Sequence, residues 1–325
     1  MKNILITGGA GFIGSHLTTH FTLNYPNYNI VNVDALTYAS NIDYISQLDS
    51  RTNYKFIKGN IIDVKFLRDL FAKYNFEFII HLAAESHVDN SIIEPLTFAN
   101  TNVIGTINLL NLANEFWINK TNKLFFHIST DEVFGALGET GSFTETSNFD
   151  PKSPYSASKA SSDLFVMAYG NTFNLPYIIT NCSNNFGPNQ NDEKLIPVVI
   201  NSIKNKKDIP VYGNGMNIRD WLYVGDHVLA IDKILHSGII NETFNIGGGN
   251  ELRNIELINK IIKIVDKELS RENNYSTRFI KYIEDRKGHD YRYSVNYEKL
   301  SSRLGWSPSN DFNSLLTKTI KWYLR

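Results

Sequence analysis

The first fourteen residues restrict the fold more than any other stretch of the chain. A short apolar strand at 3–7 runs directly into Gly8-Gly9-Ala10-Gly11-Phe12-Ile13-Gly14, and an amphipathic helix follows to about Leu23. Glycines at 8, 11 and 14 permit a tight turn, a close approach of the backbone to a pyrophosphate, and close packing of the helix. The free N–H groups at the start of the helix favour an anion at the same place. The motif therefore predicts a dinucleotide-binding unit.

Short apolar strands and amphipathic helices then alternate along the first half of the chain. The pattern predicts strands at 30–33, 54–58, 78–81 and 124–128, and helices at 64–74 and 96–117. Repeated strand–helix units of this length predict an α/β fold with a Rossmann-like, doubly wound parallel sheet. Cofactors bind outside the carboxyl ends of such strands, which here are the segments 60–61, 82–86 and 129–132.

The simple alternation lapses in the second half. The pattern there predicts helices from 193, at 224–235, at 255–269 and at the end of the chain to Trp322, strands at 177–180, 211–213, 243–246 and 279–283, and a mixed loop at 217–221. We interpret these pieces as a smaller C-terminal α/β lobe that binds the substrate. The predicted division is a Rossmann domain at 1–183 and 219–249 and a substrate lobe at 184–218 and 250–325.

Composition excludes several classes of protein. The 325 residues carry a formal net charge of -1 with a sequence pI of about 6.7, which gives no electrostatic reason to expect nucleic acid or an anionic membrane as partner. The sequence contains no apolar run of about 18 residues and no apolar start long enough for a signal peptide, so we expect a cytoplasmic protein. The single cysteine, Cys182, excludes an internal disulfide and a cysteine metal cluster. His81 and His87 have no third ligand at a suitable spacing, so we expect no metal.

An acidic residue ends the second predicted strand. Asp34 lies twenty residues beyond Gly14, where a carboxylate accepts hydrogen bonds from an adenosine ribose and repels a 2′-phosphate. No arginine follows it in Ala35-Leu36-Thr37, so the sequence favours NAD over NADP. The alternative is a turn aspartate with no ligand.

A tyrosine and a lysine stand four residues apart after Pro154. Tyr155 and Lys159 precede a helical pattern, so they lie on one helical face. A phenol is a poor base at neutral pH, and a nearby ammonium group favours its phenolate. The spacing therefore suits proton transfer, although Tyr-x-x-x-Lys also occurs by chance in helices.

Two adjacent carboxylates follow the predicted strand at 124–128. Asp131 and Glu132 come directly after Thr130, and such a pair offers an acid and a base for a second bond. The alternative is that Thr130 caps a helix whose first turn is acidic.

Several sequence motifs together resemble those of one enzyme family. The glycine motif, Asp34, Tyr155 and Lys159 resemble an extended short-chain dehydrogenase/reductase. Six further motifs narrow the resemblance to the nucleotide-sugar 4,6-dehydratases, which include enzymes for dTDP-glucose and for UDP-glucose. These motifs are LAAESHVD (82–89), STDEV (129–133), YSASKASSD (155–163), NCSNN (181–185), EKLIP (193–197) and IRDWLYV (218–224). The resemblance covers essentially the whole chain, and the Asp-Glu pair separates this group from the sugar 4-epimerases.

The resemblance implies a mechanism that agrees with the residues. Tyr155 takes the proton from the sugar 4-hydroxyl while hydride passes from C4 to NAD, and Lys159 holds the ribose and lowers the tyrosine pKa. Thr130 hydrogen-bonds near the 4-oxygen. Glu132 then removes the C5 proton, Asp131 protonates the departing 6-hydroxyl, and the hydride returns to C6. NAD is therefore tightly bound and recycled, and the product serves deoxysugar biosynthesis of the rhamnose type.

The resemblance also assigns binding residues. Those expected at the cofactor are Gly8, Gly11, Phe12, Ile13, Gly14, Asp34, Leu36, Thr37, Asn60, Ile61, Leu82, Ala83, Ala84, Ser86, Thr101, Tyr155, Lys159 and Cys182. Those expected at the nucleotide sugar are Ser86, Thr130, Asp131, Glu132, Asn184, Lys194, Leu195, Pro210, Tyr212, Arg219, Asn254, Arg286 and His289. Two arginines can hold a diphosphate without a metal, because each guanidinium binds oxygens in a fork. The alternative is that Arg219 and Arg286 only pair with Asp220 and Asp285. The resemblance further implies a homodimer that pairs the helices at 96–117 and 155–171.

Four residues depart from the usual family pattern. Asn60 replaces an aspartate that faces the adenine, Phe134 and Phe186 replace tyrosines, and Lys287 replaces a proline. Phe134 and Phe186 are expected near the site, where each removes a hydroxyl.

The sequence leaves the nucleotide and the exact activity open. Some stretches, such as Tyr25-Pro26-Asn27-Tyr28 and 166–170, resemble the UDP-glucose enzymes. The motifs at 181–185 and 218–224 instead resemble the dTDP-glucose enzymes. A single methyl group on the base is worth only about 1–3 kcal/mol in a pocket. A 4-epimerase, a decarboxylase of the same fold, and a catalytically silent NAD-binding protein are the other hypotheses.

The aspartate at the end of the second strand generates a prediction about the cofactor. Purified protein should carry NAD(H), and NAD should bind more tightly than NADP, because the Asp34 carboxylate repels a 2′-phosphate. Titration of cofactor-stripped protein with each dinucleotide measures the preference. Equal affinity for NADP would contradict the role given to Asp34.

Overall fold

The structure is a computed structural model that describes residues 1–325. Its strands are β1 (Lys2–Thr7), β2 (Tyr28–Asp34), β3 (Tyr54–Lys58), β4 (Phe78–His81), β5 (Leu124–Thr130), β6 (Tyr177–Cys182), β7 (Asn184–Phe186), β8 (Ile209–Tyr212), β9 (Ile218–Tyr223), β10 (Glu242–Ile246), β11 (Glu251–Arg253) and β12 (Ile280–Ile283). Its α-helices are α1 (Phe12–Asn24), α2 (Val64–Tyr74), α3 (Val88–Ile93), α4 (Pro95–Phe98), α5 (Gly105–Phe116), α6 (Pro154–Phe173), α7 (Leu195–Lys204), α8 (Val224–Leu235), α9 (Asn254–Glu268), α10 (Glu298–Leu304) and α11 (Phe312–Leu324).

Seven of these strands form one parallel sheet. The strand order is β10-β6-β5-β4-β1-β2-β3, and every pairing is parallel. The chain moves outward from β1 to β3, returns to β4 on the other side of β1, and continues outward. The strand order therefore reverses between β1 and β4, and this is the switch point at which such sheets bind ligands. The predicted α/β class with a doubly wound sheet is confirmed.

Helices cover both faces of the sheet and bury two separate apolar layers. On one face, Leu17 and Phe21 of α1 and Ile231 of α8 pack against strand residues such as Ile4 and Phe126. On the other face, residues of α2, α5 and α6 pack against the alternate strand residues. Strands buried on both sides read as continuous apolar runs, which is why β1, β4 and β5 are recognisable in the sequence.

Two small sheets lie outside the central sheet. One has the order β11-β9-β7, and the other pairs β12 with β8. A third apolar core joins them to α7, α9 and α11 through residues such as Val199, Ile261 and Leu316. None of the helices is long and apolar enough to cross a membrane.

The structure corrects two predicted elements. The mixed loop predicted at 217–221 is wrong, because β9 occupies 218–223 between β7 and β11. Its sequence looks unlike a strand because Arg219 and Asp220 interrupt the apolar residues, yet both are buried and hydrogen-bonded. The helix predicted at 96–117 is also not continuous. A π-helical segment at Ala99–Ile104 joins α4 to α5, and such segments are frequent at functional sites.

The glycine turn generates a prediction about stability. A Cβ added at Gly14 would lie 2.0 Å from the carbonyl oxygen of Gly8, so Gly14→Ala forces the backbone of the turn apart. We expect a loss of about 1–3 kcal/mol in the free energy of unfolding, together with weaker dinucleotide binding. Urea denaturation measures the first effect. Gly138→Ala is the control, because a Cβ there meets nothing within 4 Å; equal stability of the two variants would contradict the packing argument.

Candidate active site

A long cleft opens at the carboxyl ends of β1, β4 and β5, beside the switch point of the sheet. It extends from the glycine turn to the start of α7. Most of the site residues predicted from the sequence line it: Gly8, Gly11, Phe12, Ile13, Gly14, Asp34, Thr37, Asn60, Ile61, Leu82, Ala83, Ala84, Ser86, Thr101, Thr130, Asp131, Glu132, Tyr155, Lys159, Cys182, Asn184 and Lys194. Eight others do not line it: Leu36, Leu195, Pro210, Tyr212, Arg219, Asn254, Arg286 and His289.

The glycine turn leaves room for a ligand at the start of α1. A Cβ at Gly11 would meet a single atom, the Gly8 carbonyl oxygen at 3.3 Å, and would otherwise point into open space. A Cβ at Gly8, by contrast, would lie 2.6 Å from the backbone nitrogen of Ala83. No side chain caps the N-terminus of α1, so its first N–H groups are available to an anion. These features fit the pyrophosphate of a dinucleotide.

Asp34 combines the two roles that the sequence left open. Its Oδ1 accepts hydrogen bonds from the Leu36 amide and the Ser40 hydroxyl, each at 2.8 Å, and its Oδ2 accepts one from the Ala10 amide at 2.9 Å. Asp34 is therefore a turn aspartate. Since each carboxylate oxygen accepts two hydrogen bonds, Oδ2 keeps one position for a ribose hydroxyl. Leu36 contributes through its backbone, which is left-handed at φ 54°, and not through contact with the cleft.

The tyrosine and the lysine lie in the cleft near the end of β5. Lys159 donates a hydrogen bond from Nζ to the carbonyl oxygen of Ile128 at 2.8 Å. Burial raises the pKa of Tyr155 well above its usual range, the charge of Glu132 raises it further, and a hydrogen bond with Thr130 opposes the shift. Burial of the phenol therefore dominates the pKa of Tyr155, and the lowering of that pKa by Lys159 stays a prediction.

Asp131 and Glu132 occupy a 3-10 turn at Asp131–Phe134, immediately after β5. Thr130 accepts a hydrogen bond from the Glu132 amide at 3.3 Å, so it does cap the turn, as one alternative predicted. The same hydroxyl donates to Oδ1 of Asp131 at 3.3 Å, while Oδ2 of Asp131 is buried without a partner. The cap therefore also orients the acidic pair, and one carboxyl oxygen remains available.

The two carboxyl groups have different electrostatic surroundings. Burial raises the pKa of Asp131 well above its usual range, and the charge of Glu132 raises it further. Burial also raises the pKa of Glu132, but Arg219, Lys194 and Arg286 oppose that shift. Both pKa values are thus raised, that of Asp131 further than that of Glu132, and Arg219 opposes the shift at both, so Asp131 is the better proton donor of the pair and Glu132 the better base. Such a separation of two pKa values assigns an acid and a base.

Arg219 is held in place by backbone oxygens and not by Asp220. Its guanidinium donates to the carbonyls of Ile218 at 2.8 Å and of Asp290 at 3.0 Å, and it stacks over the Tyr293 ring at 4.3 Å. The Asp220 carboxylate instead accepts the backbone amides of Gly248 and Asn250, each at 2.8 Å. The alternative that Arg219 only pairs with Asp220 is wrong, and its positive charge remains uncompensated by that carboxylate.

Arg286 pairs with a residue that sequence reasoning missed. Its Nε lies 2.6 Å from Oδ1 of Asp89, at the start of α3, and a second nitrogen donates to Oδ2 at 3.1 Å. Asp285 pairs with His289 at 2.6 Å and accepts the Arg286 backbone amide, so its side chain does not neutralise the guanidinium. The alternative that Arg286 only pairs with Asp285 is therefore wrong.

The other residues predicted for the substrate fall into two groups. Tyr212 joins Arg286 and His289, since the Arg286 guanidinium lies 5.2 Å from the Tyr212 ring and the His289 ring lies 6.3 Å away. Leu195, Pro210 and Asn254 lie on α7, on β8 and at the start of α9. The side-chain oxygen of Asn254 is buried without a partner.

The cleft contains residues that were not predicted as site residues. Glu85, Ser129, Ser183, Asn185, Gln190, Asn191 and Glu193 also line it. Glu85, Ser129, Ser183, Asn185 and Glu193 lie inside the sequence motifs given above, so their position was a usable signal. Gln190 and Asn191 follow β7 in a loop, and no local pattern marks them.

The departures from the family pattern lie mostly outside the cleft. Phe134 packs against Phe143 with ring centroids 5.3 Å apart, and Phe186 is buried against Trp221 and Phe312. Neither lines the cleft, so the missing hydroxyls are replaced by aromatic packing. Asn60 does line it, and its Oδ1 accepts the Ile62 amide at 3.1 Å.

The fold and the cleft define a class of protein. A doubly wound sheet that opens on a glycine turn, with a Tyr-x-x-x-Lys helix beside the central strand, is the architecture of an extended short-chain dehydrogenase/reductase. The chain belongs to the GDP-mannose 4,6-dehydratase family, whose model matches residues 5–319.

Relatives and solved structures agree with this assignment. The chain is 46% identical to a probable dTDP-glucose 4,6-dehydratase of Sinorhizobium fredii over 99% of its own length and 92% of the relative. It is 45% identical to a dTDP-glucose 4,6-dehydratase of Escherichia coli, over 99% and 93%. A dTDP-glucose 4,6-dehydratase of Bacillus anthracis, solved in complex with NAD, has a TM-score of 0.89 and 41% identity, with 100% of this chain and 97% of that chain covered.

The same fold also occurs with another activity. A UDP-glucose 4-epimerase of Thermotoga maritima, solved with UDP-glucose, has a TM-score of 0.87 and 28% identity, over 99% of this chain and 98% of that chain. The backbone therefore does not separate dehydratase from epimerase, and the side chains at the end of β5 have to carry that distinction.

Proposed function

We propose that this protein is an NAD-dependent hydro-lyase that converts a nucleoside-diphosphate glucose to its 4-keto-6-deoxy sugar. One observation carries the proposal: Asp131, whose pKa burial raises well above its usual range, directly precedes Glu132, whose smaller rise is opposed by Arg219, Lys194 and Arg286, in the cleft that also holds Tyr155 and Thr130. An epimerase needs the tyrosine, but it has no bond that requires an additional acid and base.

The residues of the glycine turn fit NAD. The pyrophosphate binds at Gly11 and the start of α1, and the adenosine ribose binds at the free hydrogen-bonding position of Asp34. Residues 35–40 contain no arginine that could bind a 2′-phosphate. When bound, NAD accepts the hydride from C4 of the sugar and returns it to C6, so none is consumed. A solved relative carries NAD as well.

Tyr155 is the base of the first step. Its phenolate oxygen takes the proton of the sugar 4-hydroxyl, and Thr130 hydrogen-bonds to the same region. Because burial disfavours the phenolate, the positive charge of Lys159 four residues further on is required to make it accessible. This step leaves a ketone at C4.

The acidic pair carries out the elimination. A ketone at C4 acidifies the hydrogen at C5, and Glu132 removes that proton because three cations favour its charged form. Asp131 donates its proton to the departing 6-hydroxyl, which leaves as water. Elimination leaves Glu132 protonated and Asp131 charged. When hydride adds to C6, C5 takes a proton from Glu132, and Asp131 regains from solvent a proton equivalent to the one that Tyr155 releases.

The substrate lobe supplies the groups that hold the nucleotide diphosphate. Arg219 and Arg286 present guanidinium groups and Lys194 an ammonium group, which suits the two phosphates. The residues proposed to complete this site are Ser86, Asn184, Leu195, Pro210, Tyr212, Asn254 and His289. The third apolar core is separate from the two layers of the central sheet and supports a lobe at 184–218 and 250–325. β9, with Arg219 and Trp221, belongs to this lobe and not to the Rossmann domain in which the predicted boundary at 219 placed these residues, because Trp221 lies in the third core.

The nucleotide is proposed to be dTDP, with UDP as the alternative. The relatives at 45–46% identity carry the name of the dTDP-glucose enzyme. Deoxysugar synthesis of the rhamnose type, in the cytoplasm, is the corresponding cellular role. Parallel kinetics with dTDP-glucose and UDP-glucose separate the two nucleotides, and the identity of the product excludes epimerase and decarboxylase.

The helices next to the site generate a prediction about assembly. Large apolar side chains on α4, the π-helical segment and α6 are exposed, with Leu96 at 76%, Ile104 at 46% and Leu164 at 54%. A continuous apolar face of this kind marks an interaction surface, and the family resemblance pairs these helices across a two-fold axis. We expect a homodimer, which sedimentation at micromolar concentration measures. Leu164→Glu should yield monomers, whereas Ile118→Glu, at an exposed site after α5, should not.

The acidic pair generates the decisive prediction about chemistry. Glu132→Gln keeps the shape and removes the base, so C4 should still be oxidised while elimination stalls. Reduced cofactor should accumulate, and overall turnover should fall by roughly 10²-fold or more. Absorbance of NADH on the enzyme measures the first effect and product formation the second. Asp131→Asn should slow elimination as well, while Tyr155→Phe should prevent any build-up of reduced cofactor.

Heavy water gives an independent control. The wild-type product should contain solvent deuterium at C5, because Glu132 exchanges its proton with water. One hydrogen at C6 should come from C4 without any exchange with solvent. A Glu132→Gln enzyme at full rate, or a product without deuterium at C5, would exclude this mechanism.

A further inference from the structure

A second buried carboxylate lies beneath the site. Asp163 is on α6, one turn after Lys159, and it is completely buried. None of the steps above uses it. A carboxyl group without solvent is costly unless it is hydrogen-bonded or serves a function, so its contacts identify what it does.

On one side, Asp163 is connected to the turn that carries the acidic pair. Its Oδ2 accepts the Ser129 hydroxyl at 2.8 Å and the Asn181 amide at 3.3 Å. The same Asn181 amide donates to the carbonyl of Thr130 at 3.1 Å. Asp163 therefore holds both residues that precede Asp131 and Glu132, across the ends of β5 and β6.

On the other side, Asp163 faces the charge of Lys159. Burial lowers the pKa of Lys159, and among the groups that raise it the charge of Asp163 comes first, followed by Cys182. The ammonium itself is hydrogen-bonded to the Ile128 carbonyl, directly before Ser129. Asp163 is thus hydrogen-bonded to Ser129, next to the residue whose carbonyl binds the ammonium, and its negative charge favours the protonated form of Lys159.

The remaining groups around Asp163 do not supply a charge. Nε2 of His127 lies 3.2 Å from Oδ1 and 3.1 Å from the Ser162 hydroxyl, but burial holds the pKa of His127 well below its usual range, so the ring is neutral. The ring centroid of His81 lies 5.3 Å from that of His127, and burial lowers the pKa of His81 well below its usual range as well. The Cys182 thiol is neutral too, because burial raises its pKa to about 12. Lys159 is the cation that remains.

We propose that Asp163 is a positioning residue, which orients the Ser129–Glu132 turn through Ser129 and Asn181 and keeps Lys159 charged. The proposal rests on the function given above to Lys159 and to the acidic pair. Burial raises the pKa of Asp163 to about 7. Below about pH 7 the Asp163 carboxyl is neutral, and Lys159 keeps its proton because the solution is acidic. Above about pH 7 the Asp163 carboxylate is present and favours the protonated form of Lys159. The contribution of Asp163 therefore grows with pH.

Asp163→Asn tests the charge, because the amide retains the shape. The kcat of the full-length enzyme should fall about 10-fold or more, and the alkaline limb of its pH profile should move to lower pH, because Lys159 loses its proton earlier. The affinity for NADH, followed by fluorescence from about pH 6 to about pH 10, should weaken at lower pH than in wild type for the same reason. This second measurement does not depend on turnover.

Two further variants separate the effects. Ser129→Ala removes one hydrogen bond to the turn and leaves the charge, so kcat should fall while the alkaline limb stays in place. Ser162→Ala changes a neutral buried neighbour, which bonds to the Lys159 carbonyl and to His127, and should leave the limb and NADH affinity unchanged.

The outcomes are distinct. An Asp163→Asn enzyme whose alkaline limb and NADH affinity match wild type overturns the proposal, whatever its rate. If that variant does not fold, an unchanged kcat in Ser129→Ala overturns it. Wild-type enzyme that converts no nucleoside-diphosphate glucose would contradict the proposed function instead, and the NADH curves would still decide the role of Asp163.

Discussion

The parallel pairing of β5 with both of its neighbours is the constraint on which the site depends. β5 pairs with β4 from Leu124 to His127 and with β6 from Phe125 to Thr130. Because parallel strands end at one edge of the sheet, this pairing brings the segments after β1, β4, β5 and β6 into a single cleft. The glycine turn, Ala83 and the acidic pair, far apart in sequence, therefore face one ligand-sized space.

The position of the acidic pair has an electrostatic cost that the second lobe offsets. Burying carboxylates without partners is unfavourable, and it raises the pKa of both Asp131 and Glu132. The cations that counter this at Glu132 lie on β9, before α7 and in the loop after β12, all outside the Rossmann sheet. The small sheets and the third core therefore carry the cations that act on Glu132. These cations help to separate the pKa values of the two neighbouring carboxyl groups, and an acid–base pair requires such a difference.

Sequence reasoning succeeded where a local pattern determines a local structure. The glycine turn, the buried strands and the helix that begins at Pro154 follow from spacing and apolar period, and the structure confirms them. It failed at β9, because a strand with Arg219 and Asp220 at its centre has no apolar period and is stabilised by carbonyls and amides from distant segments. It also missed the pairing of Arg286 with Asp89, because Asp89 lies 197 positions away in the chain.

The sequence by itself determined the class of fold, the residue types at the cofactor turn and the residues proposed as acid, base and catalytic tyrosine, since each is encoded within a few consecutive residues. Only the tertiary structure decided how those residues are charged. Burial raises the pKa of Tyr155 and the charge of Glu132 raises it further, whereas the sequence argument considered only Lys159 one turn away. Asp163 shows the same limit: nothing in its neighbours along the chain distinguishes it from a surface aspartate, and its contacts with Ser129 and Asn181 exist only once β5 and β6 have paired. Burial and long-range contacts set the energy of a charge, and neither is a local property of the chain.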